Sequence, residues 1–199
     1  MPEPNPPYYV RFAADAVSSA RVDRTQTNPG GAGVDRAGHT HVAFPGAGTM
    51  SVATDTGAPR ADGMIPFFFR SVNIHFVLTD FEIQITSDYP PGSCAERATM
   101  GHEVSEHIVN PTRIMYAFRD PLIAALNAIP LPTERSPRWI PPGQEVQTRE
   151  SLIAPVRSVV RDFRHQVSAA MHAASQESDS ADHYRRVFQQ CTARQWRNP

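Results

Sequence analysis

The sequence predicts an α+β fold. A small antiparallel sheet packs on a helix that begins at Cys94, and further helices follow toward the C-terminus. Three observations predict it. Apolar and polar residues alternate with period two between residues 71 and 86, which gives a strand one buried and one wet face. Ser93-Cys94-Ala95-Glu96 has the form of a capping box, in which the Ser93 hydroxyl accepts from the Glu96 amide and Glu96 reaches back to the Ser93 amide. Leu152, Val156, Val159, Val160, Phe163, Val167, Ala170 and Met171 recur at helical spacing and predict a helix over 151–174.

The elements follow in order. Residues 1–62 read as an irregular arm with short strands, and 63–199 as the α+β body, the two forming one folding unit. Strands are expected at 8–12, 41–44 and 50–53, with Gly-rich turns at 28–33 and 45–48. Val72, Ile74, Phe76 and Leu78 form one alternating run and Phe81, Ile83 and Ile85 a second. Two such runs flanking Thr79-Asp80 predict a hairpin, although Thr-Asp is not favoured hairpin-turn chemistry. A loop over 87–92 leads to the capped helix, which runs toward Val109. Asn110-Pro111 is expected to stop it and start another, since a residue before proline is pushed out of the helical region. Asp120-Pro121 repeats that signature before a helix over 122–129. In the strong helix, Pro155 is expected to lie in the first turn. Residues 176–180 form a polar break, and Tyr184, Val187, Phe188 and Cys191 mark a last helix.

Composition narrows the function. Charged residues are 20% of the chain and the formal net charge is −1, so no basic excess drives non-specific nucleic-acid binding. No apolar stretch approaches the ~18 residues a membrane span needs. The opening MPEPNPPYYVRF lacks the charged-then-apolar layout of a secretory signal. Either the chain is not exported by that route, or such a signal has been removed. All 19 basic residues are Arg, with no Lys, which fits a biased genome or an effector that avoids lysine modification. Prolines are 19 of 199 and gather at the N-terminus and over 130–142, marking an extended arm and a connector. Cys94 and Cys191 are the two cysteines. An exported protein would pair them and a cytosolic one would keep them reduced. If paired, they close a loop for which the chain-entropy model gives about 4–5 kcal/mol.

One segment carries chemistry. The capped helix contains His102-Glu103-Val104-Ser105-Glu106-His107, an HExxEH string. On a regular helix His102 and His107 lie about 140° apart and cannot face one ion. A single π-turn would bring them onto one face. Without it, His102 pairs with Glu106, and Glu103 with His107, each at i, i+4. In either arrangement Glu103 lies beside the cation. The string resembles the motif of the zincin-type zinc metallopeptidases, in the longer HExxxH form of the dipeptidyl-peptidase III family. The resemblance covers these six residues. It implies a zincin-like domain, a Zn2+ cofactor held by His102 and His107 (or Glu106), and Glu103 as general base.

A catalytic zinc needs a third protein ligand. Asp120, Glu134, Glu150, Asp162, His165, His172 and His183 are the downstream candidates. His75 lies on the wet face of its strand. His39 and His41 share a face if extended and form a candidate accessory pair. Tyr89 and Tyr116 are candidate oxyanion donors. The expected function is a secreted or periplasmic zinc metallopeptidase, a hydrolase acting on peptide, protein or peptidoglycan amide bonds. The alternative is a non-catalytic secreted binding or effector protein with a structural or degenerate metal site.

Overall fold

The computed structural model describes residues 5–24, 38–43 and 49–197. The elements are β1 (Tyr8–Ala14), β2 (Arg21–Asp23), β3 (Gly38–Ala43), β4 (Thr49–Thr56), β5 (Ile65–Ile85), α1 (Cys94–Val104), a π-helical turn (Ser105–Val109), α2 (Asn110–Ala117), α3 (Arg119–Asn127), β6 (Arg138–Ile140), α4 (Glu145–Ser178), α5 (Ala181–Phe188) and α6 (Ala193–Arg197). The fold is mixed α and β, a small sheet with C-terminal helices, as the sequence predicts. Every other strand pairs with β5. The chain divides into two compact units. The first is Met1–Ala13, Gly46–Phe76 and Tyr116–Val167; the second is Ala14–Pro45, Val77–Met115 and Ser168–Pro199.

In the first unit, β4 and β6 pair antiparallel with the first stretch of β5. Val72, Ile74 and Phe76 are fully buried, which is the face the alternation predicts. Ala53 opposes Ser71 but Thr54 opposes Phe69, so Arg70 is an extra residue, bulged outward to meet Asp55. The ring of Phe76 stacks against Phe12 and packs on Phe163 of α4, with centroids 5.2 and 4.5 Å away. The Tyr8 hydroxyl donates to the Ile129 carbonyl at 2.7 Å, and burial pushes the phenol up to about 12. Pro155 lies well inside α4 rather than in its first turn. Pro155 and Ser151 are both exposed, so the carbonyl that loses its helical donor lies on the wet face, where water can satisfy it.

In the second unit, β3 pairs antiparallel with the end of β5, and β2 pairs parallel with it. No turn interrupts β5 at Thr79-Asp80. His41 opposes Glu82 while Ala43 opposes Thr79, so three residues of β5 face two of β3. Asp80 has φ 56°, a left-handed conformation that aspartate tolerates, and forms a bulge. The bulge moves the buried side from Leu78 to Phe81 without reversing the chain. A phase slip in the alternation has two causes, turn or bulge, and here it is the bulge.

The Ser93 hydroxyl caps α1 by accepting from the Glu96 amide at 3.1 Å. The reciprocal bond differs from the expected box. Glu96 accepts from Gly92, whose φ of 81° favours glycine, while the Ser93 amide donates to the Pro90 carbonyl. Arg24 also holds the Glu96 carboxylate, at 2.8 Å. The helix does not stop at Asn110-Pro111. It passes through the π-turn into α2 with Asn110 in helical conformation.

Candidate metal centre

Pro111 offers a local rationale for the π-turn. Proline has no N–H, and inside a regular helix its ring strikes the carbonyl four residues back, here that of His107. A π-turn immediately before Pro111 widens the backbone where that ring must fit. The Asn110 amide donates to Ser105, five residues back, and the Thr112 hydroxyl bonds the Ile108 carbonyl at 2.8 Å. The wider turn consumes the extra residue between the histidines. His102 and His107 therefore share a face, with ring centroids 5.2 Å apart.

His102, Glu103 and His107 each offer a ligand atom, all within 4.8 Å of one another. Glu103 is 1% exposed, and its Oε2 accepts from the Thr40 hydroxyl of β3 at 2.7 Å. Burial raises the Glu103 pKa, opposed by the Thr40 bond and by His107. Burial lowers that of His102, helped by His107 and His183. His102 is 5% exposed, and among the described residues neither ring nitrogen has a hydrogen-bond partner. An orphaned, neutral, buried imidazole is costly unless something uses its lone pair. A divalent cation would do so, and the donor set of imidazole and carboxylate suits zinc.

The start of α5 lines the rest of the site. Asp179 Oδ1 lies 3.2 Å from His107 Nε2 and 3.7 Å from His102 Nε2. The rings of His183 and Tyr184 lie 5.1 and 5.0 Å from that of His102. Ser180 caps α5, accepting from the His183 amide at 3.3 Å. Val187, one turn beyond His183, packs with Ala98 and Cys191. A disulfide joins Cys191 to Cys94 at the first residue of α1.

Of the residues singled out in the sequence, His102, Glu103 and His107 come together. Glu106 is not in that group; its carboxylate accepts from Ser105 at 3.1 Å. Among the third-ligand candidates, His183 lies beside His102. Asp120, Glu134, Glu150, Asp162 and His165 belong to the first unit, and His172 contacts Gln176 at 3.0 Å. His75 is half-buried on β5 opposite Thr49. Tyr116 donates to the Phe12 carbonyl, and the Tyr89 ring meets Trp196. His39 and His41 oppose Gln84 and Glu82 on β3, and their side chains lie outside the described residues. Sequence reasoning missed Thr40 and Asp179. Alternation in His39-Thr40-His41 sets Thr40 on the face opposite the histidines, a usable signal. Asp179 sits in the polar break, where nothing local distinguishes it from a helix-flanking acid.

Comparison with protein-family models, with curated proteins and with solved structures finds no match to this chain.

Proposed function

We propose that the protein is a zinc-dependent peptidase, a hydrolase of peptide or peptidoglycan amide bonds. One observation carries the reading. The π-turn gathers two imidazoles around a buried carboxylate, and the deeper imidazole has no hydrogen-bond partner among the described residues. His102 and His107 would hold the cation. When bound, zinc supplies Lewis acidity to water and to a carbonyl oxygen. Glu103 takes the proton from the attacking water and returns it to the leaving nitrogen. Thr40 fixes Oε2, so the other carboxylate oxygen carries the proton. Solvent meets the site at His107 and Asp179, whose side chains are 14% and 45% exposed. A peptide or protein substrate would enter on that side. The disulfide supports an exported, secreted or periplasmic setting.

A structural metal site is the second reading, favoured by the near-complete burial of Glu103 and His102. Glu103→Gln separates the two. Protein purified without chelators is expected to carry about one zinc per chain by elemental mass spectrometry. The peptidase reading expects the variant to keep that zinc and lose hydrolysis of casein or isolated peptidoglycan by 100-fold or more, as for loss of a general base. If Glu103 is instead a structural ligand, the variant loses the zinc.

A further inference from the structure

The two histidines do not complete a zinc site, and the segment between α4 and α5 supplies what is missing. Resting on the reading above, we propose that Asp179 is the third protein ligand, closing a His102–His107–Asp179 set.

The distances carry this. Zinc bonds to imidazole and carboxylate are about 2.0–2.1 Å long, so donors at tetrahedral corners stand roughly 3.3–3.4 Å apart. Asp179 Oδ1 lies 3.2 Å from one Nε2 and 3.7 Å from the other, on either side of that separation. At 3.7 Å the His102 contact is too long for a hydrogen bond, and among the described residues neither ring nitrogen has a hydrogen-bond partner. A proton on His107 accounts for its 3.2 Å contact but not for the approach of His102 Nε2 to the same oxygen, whereas a shared cation would account for both. The carboxylate is also oriented. Its other oxygen, Oδ2, accepts from the Ser175 hydroxyl at 3.4 Å, which leaves Oδ1 for the histidines. The neighbouring groups have other contacts, and Glu103 has the base role given above. Glu103 is held by Thr40 at 2.7 Å, Glu106 by Ser105 at 3.1 Å, and His183 Nδ1 contacts the Arg186 guanidinium at 3.1 Å. One carboxylate with two neutral imidazoles leaves a net charge of +1 on the centre and the fourth position open, the ligand count of a catalytic site.

Cobalt(II) substitution tests the assignment by spectroscopy. In Asp179→Cys, a thiolate in the coordination sphere is expected to give a near-ultraviolet sulfur-to-cobalt charge-transfer band that the unsubstituted protein lacks. Asp179→Asn is expected to weaken zinc binding by at least tenfold in a chelator competition, with the melting temperature of the metal-free protein unchanged. Cobalt bound in Asp179→Cys without that band, or zinc affinity retained in Asp179→Asn, overturns the assignment and leaves the two-histidine site standing. Failure of the unsubstituted protein to bind zinc or cobalt removes the underlying reading, and this assignment with it.

Discussion

At the scale of single residues, His102 and Glu103 are neighbours with opposite pH signatures. Burial holds the His102 imidazole below its usual pKa, about 6.5. Above that value it is neutral folded or unfolded. Below it, the unfolded chain takes up a proton that the folded chain resists, so stability present above about 6.5 is lost on acidification. Glu103 is held above its usual range, first by burial. Both states are protonated below about 4.3, and as pH rises from there the unfolded chain ionises more readily. Its contribution is lost as pH rises through the elevated value. Metal-free Glu103→Gln is therefore expected to melt several degrees above the parent at pH 8. At roughly 2–4 °C per kcal/mol for a chain of this size, that is readily measured. The gap should shrink toward pH 4.5. A gap independent of pH would show that the carboxylate is not held away from water. Zinc distinguishes His102 from Glu103. It stabilises by about 2.7 kcal/mol at a hundred times the dissociation constant, and that increment should disappear in His102→Ala while surviving in Glu103→Gln.

At the scale of elements, the π-turn decides whether a metal site exists, and it was legible only as a condition. The i, i+5 spacing of His102 and His107 says that a regular helix fails and that one wide turn would succeed. Asn110-Pro111 offers a reason for that turn, yet the same dipeptide also reads as a helix stop. Pro111 can end a helix or distort one, and the tertiary packing of Ile108 and Met115, both fully buried, favours continuation. Caps read more directly. Ser93 is the cap of α1 because side-chain capping is local chemistry, although Glu96 chose the Gly92 amide over that of Ser93. The bulge at Asp80 was misread as a turn because both produce the same slip in alternation. Asp179 was illegible because its partners are contacts distant in sequence. If Pro111 sustains the π-turn, Pro111→Ala lets the backbone relax to a regular helix and carries His107 away from His102. That variant is expected to be at least as stable as the parent without metal, since proline in a helix interior costs about 3 kcal/mol. Its zinc affinity should fall tenfold or more by competition titration. Unchanged affinity would place the cause of the turn elsewhere.

At the scale of the whole molecule, the disulfide connects covalent structure to the candidate function. Cys94 and Cys191 are 97 residues apart in sequence, and both belong to the second unit. The chain-entropy model assigns a loop of this length about 4–5 kcal/mol, a large share of the 5–15 kcal/mol that separates most native domains from their unfolded chains. The bridge also has a position. It ties the first residue of α1 to the segment just beyond α5, where Ala98, Val187 and Cys191 pack with Cys94 and Trp196. α1 carries His102, and α5 begins just after Asp179 and carries His183. Breaking the bridge therefore removes the covalent tie between the two helices that carry the halves of the site. The double variant Cys94→Ser, Cys191→Ser is expected to melt about 10 °C or more lower, by the same 2–4 °C per kcal/mol. Below its melting temperature, its zinc affinity should also fall, whereas an effect on global stability alone would lower the melting temperature and leave the affinity of the folded fraction intact. Chelator competition at low temperature separates these outcomes. Affinity equal to that of the parent would mean that α5 stays in place without the bridge.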